Sequence, residues 1–111
     1  MSIREIPAAA ITDAVEALCI EANTRLPADV KAALAAAEAA EPWPLAKETL
    51  GLLQQNLCVA KEKDLPICQD TGMACVFIEL GQDAHIDGDL TDAVNEGVRR
   101  GYEKAFLRKS I

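Results

Sequence analysis

The sequence predicts a mainly helical α+β domain: three N-terminal helices, a small β-sheet following a CQDTG loop, and a C-terminal helix. Three observations point there. Apolar residues recur at helical spacing in three stretches before residue 64. A β-branched and aromatic run, ACVFIEL at 74–80, follows a loop rich in turn residues. A final stretch opens on Asp89 and carries apolar residues on one helical face. A chain of 111 residues has room for one domain with a modest core and not for two, so residues 1–111 read as a single domain.

The first helix is expected from about Pro7 to Arg25, on the spacing of Ile11, Val15, Leu18 and Ala22. Pro27 suits the first turn of the second, PADVKAALAAAEAAE, with Val30, Ala33, Leu34 and Ala37 on one face. Its alanines favour the helix but bury little each. Pro42 and Pro44, around Trp43, open the third. Its stripe of Ala46, Leu50, Leu53, Leu57 and Ala60 runs to about Lys63, where KEKDLP ends it. These stripes read as core packing, with Cys19 and Cys58 as small buried hydrophobes on them.

ACVFIEL reads as a strand of the sheet, closed by Gly81, with HIDGD as a short partner strand and turn. Cys75 falls inside that strand and is assigned to the core. His85, the sole histidine, is placed in a loop or at a strand end with no metal role. Asp89 caps a helix carrying Leu90, Val94, Gly97, Val98, Gly101 and Ala105. Two glycines inside a helix cost roughly 1 kcal/mol each, so Gly97 and Gly101 on a shared face imply a closely packed neighbour. Asp92, Glu96, Arg99 and Arg100 exclude the membrane reading of that GxxxG spacing.

The net charge of −7 argues against nucleic acid as a partner and requires any anionic ligand to be met by locally placed cations. No apolar run approaches the roughly 20 residues of a membrane span. Glu5, Asp13 and Glu16 interrupt the stretch where a signal peptide would be apolar, which points to a cytoplasmic protein. Cysteines 19, 58, 68 and 75 contain no CxxC pair. Reduced thiols are expected, without an autonomous zinc site or thioredoxin-like motif.

The run DLPICQDTG is what core packing does not explain. Cys68, between a proline-containing turn and a strand, can serve as a nucleophile or a metal ligand. Nucleophilic chemistry would recruit His85. A soft metal would fit the thiolate, but one cysteine cannot hold a cluster. Gln69 and Thr71 are suited to orienting a polar ligand, Asp70 to acting as a base or ion-pair partner, and Gly72 to close backbone approach. On chemistry alone a functional loop and a capped structural turn both stand.

LPICQDTG, the stretch DAVNEGVRRGYEKAFLRKSI and EALCIEANTRLPADV together resemble the α subunit or α region of class I fumarases and L-tartrate dehydratases, which are oxygen-sensitive iron–sulfur hydro-lyases. The likeness covers essentially the whole chain, and LRKS leans towards the fumarase branch. It implies that Cys68 supplies one of three thiolates to a [4Fe-4S] cluster, the remaining ligands lying outside this chain. It implies that Gln69, Asp70 and Thr71 contact a dicarboxylate substrate, with Asp70 and Thr71 as catalytic candidates. Arg108 would pair with a substrate carboxylate, for which a guanidinium fork is well shaped.

The reaction implied is reversible hydration of fumarate to malate, a tricarboxylic acid cycle step, or dehydration of a related hydroxy-dicarboxylate such as L-tartrate. The partners implied are the rest of the α subunit, a β subunit or region, and a second copy in a homodimer. The chain is accordingly expected to be an N-terminal fragment, inactive alone, since the resemblance puts the other two cluster thiolates and much of the pocket outside it; FLRKSI, which stops beside a cationic cluster without a polar tail, agrees with that expectation. Two rival readings are a helical interaction module and a thiol-redox domain using Cys68 and Cys75.

Overall fold

A computed structural model describes residues 2–110. In chain order the elements are strand β1 (Arg4–Pro7), helices α1 (Ala8–Thr24), α2 (Ala28–Ala40) and α3 (Pro44–Lys63), strand β2 (Ala84–Asp87) and helix α4 (Leu90–Lys104). The mainly helical α+β class is as expected, and the four helices fall where the apolar spacing puts them. No helix of the described residues is long and apolar enough to cross a membrane. The chain forms two compact units, Met1–Glu21 with Gln69–Ile111, and Ala22–Cys68.

In the first unit, β1 and β2 pair in parallel, with Glu5 opposite His85 and Ile6 opposite Ile86. Gly88 then turns the chain into α4. Its φ of +127° is open to glycine, and a Cβ there would stand 2.7 Å from that of Ala8. Asp89 caps α4 as expected, its Oδ1 accepting from Asp92 N–H at 2.9 Å.

The close neighbour implied by the helical glycines is α1. A Cβ on Gly97 would lie 2.7 Å from the Thr12 carbonyl and 2.7 Å from Val15 Cβ; one on Gly101 would lie 3.0 Å from Cys19 Cβ. Thr12 Oγ1 adds a buried bond to the Ala93 carbonyl at 2.9 Å. Val15, Cys19, Tyr102, Ala105 and Leu107 form the buried core, with Ile11, Ile20, Val94 and Val98 packed on it. The buried face of α1 is thus Thr12, Val15 and Cys19, while Leu18 and Ala22 of the expected stripe are exposed. Thr12, Val15 and Cys19 recur at spacings of three and four and so share the face that meets the glycines, and Leu18 lies off it.

The second unit holds α2 against α3. Gln54 donates to Glu38 between them. Burial is shallow: no residue of α2 is buried, and of α3 only Ala60. On the expected stripes, Leu34, Ala46, Leu50 and Leu57 are half-buried, whereas Val30, Ala33, Ala37 and Leu53 are exposed. Cys58, expected in the core, is exposed as well. One helix against one helix covers a single narrow seam, so residues beside it stay open.

The expected ACVFIEL strand is absent. Residues 74–80 have no regular secondary structure, and Phe77 is 94% exposed. The partner expected for it, HIDGD, does supply β2, but β2 pairs with β1. β propensity expresses fit to a pleated neighbour rather than a backbone preference of its own, and among the described residues 74–80 have no such neighbour. Cys75, assigned to the core with that strand, is exposed for the same reason.

Candidate functional site

The CQDTG run begins where α3 ends. Asp64 takes the left-handed conformation at φ 51°, and Leu65 N–H bonds back to the Ala60 carbonyl at 3.0 Å, closing the helix in a Schellman-type turn. Within the second unit, Ile67 is then held on both sides. Its N–H donates to the Asn23 carbonyl at 2.8 Å, and its carbonyl accepts from Asn56 Nδ2 at 2.7 Å. Arg25 reinforces the turn, donating to Asp64 Oδ1 at 2.9 Å and to Thr24 Oγ1 at 3.1 Å. The backbone leading into Cys68 is therefore fixed, while the Cys68 thiol is free and exposed.

Gln69 to Gly72 belong to the first unit. Thr71 N–H donates to the Gln69 carbonyl at 3.0 Å, making a tight bend in which Gln69 and Asp70 are exposed and Thr71 is buried at 4% exposure. The Thr71 hydroxyl donates to the Arg108 carbonyl at 3.0 Å. The Thr71 carbonyl accepts from the Tyr102 hydroxyl. The structure thus brings Thr71 and the Arg108 backbone together across 37 residues of sequence.

Arg108 is delivered by the same local device that ends α3. Phe106 is left-handed at φ 56°, and Leu107 N–H returns to the Tyr102 carbonyl at 3.0 Å. Leu107 is buried, whereas Arg108 is exposed and its Nε reaches Ser110 Oγ at 3.3 Å. A non-glycine residue in this region costs on the order of 1 kcal/mol, so both turns persist because their neighbours hold them. Beside the loop lies a cavity of about 250 Å³ lined by Gly72, Ala74, Val98, Arg99, Tyr102 and Lys109.

Several cations of this unit meet carboxylates. Arg99 bridges Glu96 at 2.5 Å and Glu103 at 3.1 Å, and Arg100 meets Glu96 at 2.9 Å. These two guanidiniums hold the Glu96 carboxyl down at about 2. Lys104 pairs with Glu16 at 2.5 Å. His85 sits on β2 and bonds Glu5 on β1 at 2.8 Å, an exposed cross-strand pair. Burial pushes the Cys19 thiol up, leaving it a protonated core group.

No group of three His, Cys, Asp or Glu side chains among the described residues could hold a metal ion. One exposed thiol on an anchored loop fits the part of a single cluster ligand. It does not make a self-contained site, which needs thiolates from elsewhere.

Asn23, Asn56 and Tyr102, which anchor the loop, went unremarked in the sequence. Asn56 leaves a signal, since asparagine is a poor residue for a helix interior, and Tyr102 is the one tyrosine of the chain.

The sequence model of the fumarate hydratase (Fumerase) family matches residues 12–111. The chain belongs to the fumarate hydratase family. Within it, a Methanocaldococcus jannaschii protein provisionally named L(+)-tartrate dehydratase subunit alpha is 35% identical over 103 residues. That match takes in 91% of this chain and 36% of the relative. The L(+)-tartrate dehydratase subunit alpha of Escherichia coli K12 is 29% identical over 98 residues, covering 88% of this chain and 32% of its own. This fumarate hydratase family chain therefore spans about a third of the length of the curated relatives it matches.

Proposed function

We propose that this chain forms part of a hydro-lyase subunit that adds water to, or removes it from, a four-carbon dicarboxylate, with fumarate and malate or L-tartrate as the substrate class. Family membership and the names of the relatives support the reaction class. The observation that carries the site is the bond from Thr71 to the Arg108 carbonyl at 3.0 Å, which joins the loop and the arginine that the chemistry requires together.

In this reading the Arg108 guanidinium grips one substrate carboxylate through two parallel bonds, supplying the local cation that a chain of net charge −7 must provide. The Gln69 amide orients a second polar group, and the Asp70 carboxylate takes or returns a proton. Thr71, turned inward, holds the loop rather than the ligand. Cys68 would be one ligand of a [4Fe-4S] cluster whose other thiolates come from beyond this chain. Such a cluster, when bound, supplies a Lewis-acidic iron that polarises hydroxyl and carboxylate oxygens. The other parts of a full subunit and a β subunit or region are the partners of this reading, and a reducing, cytoplasmic setting suits its thiols.

The test uses the full-length gene product, expressed with its complementary subunit and reconstituted anaerobically with iron and sulfide. A brown protein that hydrates fumarate or dehydrates malate or tartrate is expected; a colourless protein inactive on all three would overturn the proposal. Cys68→Ser should lose bound iron and sulfide, because a hydroxyl is a harder and far less acidic ligand. Arg108→Lys should keep the colour and weaken dicarboxylate binding by about ten- to hundredfold. A changed Tm with unaltered kcat/KM would instead make Arg108 a helix-end cation.

A further inference from the structure

Tyr102 joins the two segments read above as the dicarboxylate site. It is 7% exposed and packs with Val15, Cys19, Ala105 and Leu107. Its hydroxyl donates to the Thr71 carbonyl. Its own carbonyl accepts the Leu107 N–H bond that turns the chain towards Arg108. Thr71 Oγ1 completes the ring by donating to the Arg108 carbonyl. Burial above all, then the nearby Cys19 and Cys75 thiols, pushes the Tyr102 hydroxyl above its usual range, so it stays a protonated donor. A buried tyrosine hydroxyl needs some partner. Here the partner is the backbone of the ligand loop, reached by a residue that also ends the helix delivering the arginine.

We infer that Tyr102 is a positioning residue for dicarboxylate binding: its hydroxyl holds the Gln69–Thr71 bend in register with Arg108, so that both meet one ligand without reordering first. This rests on the reading of Gln69, Asp70 and Arg108 as the dicarboxylate set. Ordering a loop on binding subtracts from affinity, and a clamp made within the fold removes that loss. The Tyr102 hydroxyl is engaged by the Thr71 carbonyl, so its effect travels through Thr71.

Tyr102→Phe in the full-length, assembled enzyme keeps the ring and removes only the donor. KM for the dicarboxylate should rise about tenfold, with a smaller change in kcat. Amide hydrogen exchange at Thr71 and Gly72 should quicken by a similar factor, while Leu107 is unmoved. Asp89→Ala serves as the stability control, because it removes the acceptor for Asp92 N–H at the end of α4 remote from Tyr102 and the loop. It should lower Tm and leave KM alone. A Tyr102→Phe enzyme with lower Tm but unchanged KM and exchange overturns the inference, as does an equal rise in KM for Asp89→Ala. Inactivity of the wild-type enzyme on every dicarboxylate overturns the site reading itself. The exchange measurement, which needs no substrate, tells that failure apart from failure of the clamp.

Discussion

α4 buries Ala93, Gly97, Gly101 and Tyr102, whereas α2, only two residues shorter, buries none. α4 is a poor helix by composition, with two interior glycines, and it exists because α1 accepts those glycines at contact distance. α2 is mostly alanine, the residue that loses least on entering a helix, and it stands with little tertiary support. The difference separates two ways of making a helix. Where packing holds the helix, the glycines are obligatory and residues beyond its end, Phe106 to Arg108, are placed by it. Where propensity holds it, the sequence is free to vary, and no such placement follows.

The sharpest way to break this contrast is to add one methyl group to a glycine in each region. Gly97→Ala should destabilise by roughly 1–3 kcal/mol despite alanine's higher helix propensity, lowering Tm on the order of 10 °C. Gly51→Ala in α3 should stabilise by about 0.5–1 kcal/mol, because its Cβ would meet only the flexible end of Glu38, at 3.1 Å. Denaturant unfolding followed by circular dichroism measures both. If the two substitutions cost the same, the regions are packed alike and the contrast is wrong.

A smaller effect is expected at the start of α4. Asp89→Ala removes the acceptor for Asp92 N–H and should cost about 1 kcal/mol. No equivalent change is available in α2, whose N-cap Pro27 makes no side-chain cap bond. A loss below measurement in the same unfolding experiment would show that the α1 contact alone sets the α4 boundary.

The smallest effect concerns the strand pair. The Glu5 hydrogen bond first, then the Glu5 and Asp87 charges, raise His85 above its ordinary value of 6.5. A raised folded value means that the stabilisation is present below 6.5 and fades as the pH climbs through the folded value. Both side chains are about two-thirds exposed, so the effect on stability is slight and weakens with salt. The proton resonances of this single histidine report it directly: Glu5→Gln should move its titration back towards 6.5, and an unmoved midpoint would remove Glu5 as the cause.

Local signals sufficed for much of the molecule. The helices were legible from the 3.6-residue spacing and the prolines, the Asp89 cap from its place before an apolar run, and the close approach at Gly97 and Gly101 from residues that a free helix would not choose. The CQDTG loop stood out because its residue types serve no core, and Arg108 through the family resemblance. Each of these depends on interactions within a few residues, or on a cost that only a neighbour can explain.

Other features depend on partners that no local pattern names. β1 is four residues long and pairs with a strand 80 positions away, so nothing in REIP marks it. ACVFIEL has every local property of a strand and lacks one here, because a strand is completed by the backbone beside it and not by its own side chains. Burial was misjudged at Cys58 and Cys75 for that reason: a stripe shows which face can be covered, and only the fold decides whether anything covers it. The joining of Thr71, Tyr102 and Arg108 is of the same kind. Residue chemistry made the loop a candidate and the family resemblance added the arginine, but the hydrogen bonds linking them exist only once α4 has packed on α1 and turned at Phe106.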